Sequence, residues 1–361
     1  MKKRNNNIDF LRGIATICII VIHTTFWSGA LYLPKWFTNL SLLIDVPAFM
    51  FISGISYHFI KSVTKNIKGL IIQWKKWFFF IIIYSIIIFV FYRSEFHIKD
   101  FLCWLVYYFP NQTSLRVVGG SIWFIIMYIK VSILCSIIIS INNYFEKNAE
   151  KQVKNLISIM GLIIIVFAYT SFIKFNEFIF DQTTLFYSLL YLLGYISMNY
   201  KINLKQTIFF EIINIILLII TMYGYRYTVT DFQTMKFPPS VPYLFLAMLS
   251  IILFWYLKDK LKIKDKNPIN YIGKNALWFY FAQGVSSSLI FYIYDFIAKN
   301  NYNYHYLLTF SIMLFFNIII TLIIAILLEK AYNLLCKADI ISKLSKYKLL
   351  KFEENNNIKS K

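Results

Sequence analysis

Arg12 and His23 stand eleven residues apart in the first apolar stretch of the chain. At 100° per residue, eleven residues make almost three helical turns. Both side chains therefore share one helix face, roughly 16 Å apart along the axis. A fixed cation at one end of such a face can hold an anionic group such as a phosphate or pyrophosphate. A neutral imidazole deeper in the bundle can take the proton of an alcohol. Plainer roles exist for both: Arg12 can snorkel to lipid headgroups or pair with Asp9 one turn away, and His23 can be a hydrogen-bonded structural group.

Other ionisable groups fall into the same apolar setting, where they are costly and so functional suspects. Asp45 enters the second apolar segment from the far side, at a depth comparable to His23. It could orient the imidazole by accepting its second N–H, or stand as a solvated helix-start carboxylate. Lys130 and Lys274 are further cations within apolar segments, and Lys274 can snorkel out. His58, His97 and His305 lie at helix ends or in loops, where a solvated imidazole is the default.

The elements that must position these groups follow from composition. Of 361 residues, 59% are hydrophobic and 15% charged, against about 25% charged in soluble domains. Apolar runs of about 18 residues or more, the length that spans a bilayer core, recur along the whole chain. The expected fold is an all-α integral membrane bundle of about ten transmembrane helices, near 9–29, 41–60, 77–92, 120–141, 155–173, 183–199, 206–224, 240–257, 271–293 and 306–328. With an inside N-terminus, 26 of the 37 Lys and Arg fall in cytoplasmic segments and 8 outside, which predicts both termini in the cytoplasm. Residues 1–335 read as one transmembrane domain and 336–361 as a basic cytoplasmic tail.

The net charge of +20 sits in short clusters between apolar runs. That placement suits lipid headgroups and the orientation rule rather than nucleic acid. Cys18, Cys103, Cys135 and Cys336 are scattered without a CxxC pair, giving neither a disulfide framework nor a metal site. Arg12 and His23 interrupt the first apolar run and no small-residue cleavage site follows, so an uncleaved first helix is expected. Abundant Lys, Ile and Asn suggest an AT-rich bacterial genome, a compositional hint alone.

The run Asp9-Phe10-Leu11-Arg12-Gly13-Ile14-Ala15 followed by His23 resembles the opening signature of the acyltransferase-3 family of bacterial membrane O-acyltransferases, a basic residue, ten others, then histidine. Val46 to Gly54 resembles the family's aromatic-rich Ser-Gly segment, Ser121-Ile122-Trp123-Phe124 its Trp-Phe helix start, and Tyr271 to Trp278 its penultimate helix. Phe237-Pro238-Pro239-Ser240 resembles a lip found in some members. Together they cover about residues 7–330.

The resemblance implies transfer of an acyl group, usually acetyl from acetyl-CoA, to a hydroxyl of a surface glycan or its lipid-linked precursor. It carries the family's histidine over to His23 and its arginine to Arg12. Many members have an Arg-rich start to the third helix; this chain offers Lys68, Lys75 and Lys76, which meet phosphates as point charges without bidentate geometry. Lys75 and Lys76 are expected to join Arg12 at the CoA phosphates. Many members place a histidine near Gln283, which here can position a substrate but not act as a base. Trp123 would wall the acyl path or sit in the interfacial belt, and Arg116 would meet an anionic acceptor or water. Ser53-Gly54 reads as a close-packing pair rather than a nucleophile.

Two other classes compete. A transporter or flippase of a glycan or lipid-linked precursor would commonly show internal repeats, and none is visible. A glycan polymerase would be expected to carry a long basic external loop, whereas the external loops here are short.

Overall fold

The computed structural model describes residues 5–173, 181–264, 266–299 and 305–359, with side chains described through residue 337 apart from 172, 173 and 299. Asn6–His23 (α1), Val46–Ile60 (α2), Val63–Phe91 (α3), Trp123–Phe145 (α4) and Ala149–Ile173 (α5) form the first half. Gln182–Ser197 (α6), Leu204–Tyr225 (α7), Val241–Lys260 (α8), Pro268–Lys274 (α9), Ala276–Lys299 (α10) and Tyr306–Lys359 (α11) complete it. Among the described residues no strand forms beyond an isolated bridge between Lys236 and Pro239. Nine helical stretches among the described residues are long and apolar enough to cross a membrane. The expected tenth, α6, is a helix of 16 residues, about 24 Å long. It lies almost wholly buried in the middle of the bundle.

Several boundaries differ from the expectation, two of them because charged residues do not end a helix. Helix α3 begins at Val63 rather than 77, because Ser62 caps it and its lysines ride on the first turns of a continuous helix. Helix α5 likewise starts at Ala149 rather than 155. The helix expected over 271–293 is two, α9 and α10, parted at Asn275. Helix α11 runs through Lys359, well past the expected end at 328. The stretch 93–116 is not a plain loop. It holds a helix, Ile98–Leu105, whose buried Trp104 accepts a hydrogen bond from the Trp77 indole at 2.8 Å.

Close helix approach depends on small residues, as expected where lipid supplies no hydrophobic drive between helices. A Cβ on Gly54 would lie 1.9 Å from the Tyr191 carbonyl oxygen, and one on Gly194 2.0 Å from that of Phe51. Helices α2 and α6 thus touch backbone to backbone. Gly13 and Gly273 do the same for α1 and α9: a Cβ on Gly273 would stand 1.7 Å from the Asp9 oxygen. Asn7 ties the start of α1 to the end of α8 by donating to the carbonyls of Lys258 (3.0 Å) and Leu261 (2.6 Å).

Two apolar clusters result. One joins α1, α2, α4, α6 and α8; the other joins α3, α10, α11 and Trp104. The candidate site lies where they meet. Helix α7 is studded with exposed Ile, Leu and Phe, which suits a face against lipid.

Candidate active site

Helix α1 brings Arg12 and His23 to the core. Its start is capped by Asn5, which accepts from the backbone N–H of Asn7 at 3.0 Å and of Ile8 at 3.4 Å. Its end is unusual: directly after His23 the backbone passes into a π-helical turn, Thr24–Ser28, a local widening often found at functional sites. Thr24 and Thr25 return their hydroxyls to Ile20 and Ile22 (2.7 and 2.8 Å).

His23 Nδ1 is hydrogen-bonded to Gln283 Oε1 on α10. The Gln283 amide nitrogen donates to the Tyr280 carbonyl at 3.1 Å, which turns its oxygen toward the imidazole. Nδ1 is then the donor, and Nε2 carries the free lone pair. Gln283 is fully buried and lies behind the ring, outside the cavity lining, although it was expected to touch substrate. One turn further, Ser286 donates to Asn317 (2.7 Å), and Asn317 donates to Thr24 (2.8 Å) and Ser287 (3.0 Å). This buried polar network joins α10, α11 and the π turn and braces the histidine from behind.

His23 faces a cavity of about 380 Å³. Asp45 lines it too, but not as the partner of the imidazole. That expectation is corrected: Asp45 occupies the N-cap position of α2 without capping it, and its Oδ2 takes Lys236 Nζ at 2.6 Å and the Tyr243 hydroxyl at 2.9 Å. Gln283, not Asp45, is the partner of Nδ1. Lys236 is the residue that sequence reasoning missed, having been counted among external loop charges. It is buried, lines the cavity and lies 5.3 Å from the ring centres of both Trp123 and Phe237. Trp123 is part of the same wall, and Phe237 of the Phe-Pro-Pro-Ser lip meets it edge-on.

A second cavity, of about 350 Å³, holds Arg12, Lys76 and Lys274. Arg12 donates to Asp9 at 3.0 Å and to the Ser56 hydroxyl at 2.8 Å, which fix its fork in place. Lys76 lies 5.2 Å from the Trp278 ring centre. Lys75 is exposed and outside the lining; its neighbour on the helix and Lys274 supply the cations instead. Phe49, Phe124 and Tyr280 line both cavities. They form a thin aromatic partition, with Phe124 5.9 Å from Phe49 and 5.7 Å from Tyr280 between ring centres.

Two suspects lie away from both cavities. Arg116 is exposed at the start of the short helix Arg116–Ser121, with its guanidinium over the Phe291 ring at 5.8 Å. Lys130 pairs with Asp181 at 3.1 Å, both about half exposed.

The arrangement offers a lone-pair nitrogen on one side of an aromatic partition and three cations on the other, within one helix length. Comparison with curated proteins and with solved structures found no match. A family profile described as an acyltransferase domain matches residues 5–329, nearly all of the chain. The protein therefore belongs to the acyltransferase-3 family and is a membrane acyltransferase.

Proposed function

We propose that the protein moves an acetyl group from cytoplasmic acetyl-CoA to a hydroxyl of a cell-surface polysaccharide or its lipid-linked precursor, within a bacterial plasma membrane. One observation carries this reading above the others: a cationic cavity and a histidine cavity share a wall of three aromatic rings. Arg12, Lys76 and Lys274 suit the phosphates of CoA. The pantetheine arm covers the roughly 16 Å from Arg12 toward His23 and presents the thioester at Phe49, Phe124 and Tyr280. The acceptor occupies the histidine cavity. His23 Nε2 takes the proton of its hydroxyl as the oxygen attacks the thioester carbon. The C–S bond then breaks, and the thiolate leaves with the proton from His23. Gln283 keeps the imidazole in the tautomer that this step needs.

The test is label transfer from radiolabelled acetyl-CoA to glycan in membranes carrying the wild type, His23→Gln or Arg12→Lys. Gln keeps one donor and one acceptor but cannot shuttle a proton, so His23→Gln should slow transfer by about 10² to 10⁴ with CoA affinity nearly unchanged. Arg12→Lys should weaken use of limiting donor, because the planar fork is lost. A folded, CoA-binding His23→Gln protein with near-normal turnover would remove His23 as the base. Absence of label in the wild type with glycan export intact would favour a transporter instead.

A further inference from the structure

Within that acyl-transfer reading, we infer that the acceptor in the histidine cavity is an uncharged saccharide whose second hydroxyl is read by Asp45, and that acidic sugars are excluded. The charges of the cavity cancel internally. Its lining contains one cation and one anion besides His23, Lys236 and Asp45, and these are paired at 2.6 Å with both side chains buried. A sugar carboxylate brought into this space has two options. It can face Asp45 as a buried like charge, or it can pull Lys236 away and strand the Asp45 carboxylate without its counterion. Either outcome is strongly unfavourable away from water.

The polar groups left over match hydroxyls instead. Asp45 Oδ2 accepts from Lys236 and Tyr243, while Oδ1 has no hydrogen-bond partner although the residue is 2% exposed. Buried carboxylate oxygens are ordinarily satisfied. A small shift of the carboxylate into the cavity that it lines would let Oδ1 accept a hydroxyl hydrogen, which a neutral polyol provides and a second carboxylate does not. Gln233 and Ser121 add further neutral polar lining. The rest of the wall is apolar, and within it Trp27, Trp123 and Phe237 offer flat surfaces to the apolar faces of a sugar ring. The occupant is thus a ring with at least two free hydroxyls: one given up to His23 and acylated, the other donated to Asp45.

The experiment has two arms. Esters on the surface glycans of strains with and without the gene are mapped by NMR. An ester gained on an uncharged sugar beside a free hydroxyl supports the inference, and an ester gained on a uronic or other acidic sugar overturns it. No difference in esters overturns the acyl-transfer reading itself, and the inference with it. The mapped glycan, de-esterified, is then offered to membranes with labelled acetyl-CoA, both as it is and with its primary hydroxyls oxidised to carboxylates. The wild type should favour the neutral form by about tenfold or more. Asp45→Asn leaves Lys236 as an unpaired cation and should move that ratio toward the acidic form by about tenfold. A variant that merely damages folding lowers both alike; an unmoved ratio overturns the role given to Asp45.

Discussion

At the scale of single residues, the histidine is defined by what stands behind it. A neutral amide, Gln283, orients the imidazole, and the nearby carboxylate of Asp45 is tied up with a lysine; a base of the kind proposed is more commonly held by a carboxylate. Gln283→Leu should leave an N–H of His23 buried without an acceptor and free the ring to turn. An unsatisfied buried donor costs about 1–3 kcal/mol, so acetyl transfer should fall about 10- to 100-fold. CoA affinity, which the proposal assigns to the other cavity, should stay within about twofold. Measuring both on purified protein checks this; equal losses in both would mean that Gln283 supports only the fold. The spacing of Arg12 and His23 made their pairing on one face visible in sequence, because a helix converts spacing directly into geometry. The Lys236–Asp45 pair was invisible for the converse reason. Its members are far apart in the chain, and Lys236 stands among polar loop residues that gave no sign of burial. Gln283 was expected at the substrate, but whether an amide faces a ligand or another side chain is decided by packing across helices, and here it meets His23.

At the scale of elements, glycines set the distances on which the site depends. Gly273 is the sharpest case, since it lines the cationic cavity and lets α9 lie against the backbone of α1 at Asp9, the partner of Arg12. Gly273→Ala should force α9 off α1, at about 1–3 kcal/mol for overpacking, and should weaken CoA binding more than it slows turnover at saturating donor. Thermal melting with and without CoA reads both effects. Gly161→Ala is the matched control, because a Cβ there meets nothing within 4 Å. Gly273→Ala with unchanged melting and affinity would show that α9 is free to move. Sequence reading placed the helices well and their ends poorly. Charged residues on the first turns of α3 and α5 looked like loops, yet a lysine at a helix end can reach the headgroups without leaving the helix.

At the scale of the whole molecule, the orientation rests on basic residues rather than on the fold. The 26 to 8 asymmetry predicts a cytoplasmic C-terminus and an external segment around residue 110. Reporter fusions at the C-terminus and an accessible cysteine at position 110 would test it; a C-terminal fusion active outside would reverse the sidedness of both cavities. In the expected orientation the cationic cavity lies toward the cytoplasm and the histidine cavity with Phe237 toward the other face, as the proposed donor and acceptor require.

The wall of Phe49, Phe124 and Tyr280 then has an electrical consequence. In the proposed orientation, donor and acceptor enter from opposite faces and meet at those rings, so part of the transmembrane voltage falls between the two cavities. A charge driven across would gain or lose about 2.3 kcal/mol per 100 mV. The proposed reaction moves no net charge. One acyl group leaves the thiol for the far side, and one proton comes back from the hydroxyl to take its place. Its equilibrium is therefore indifferent to the membrane potential, set only by the difference between thioester and ester. A cell whose potential has collapsed could still modify its glycan as long as it makes acetyl-CoA.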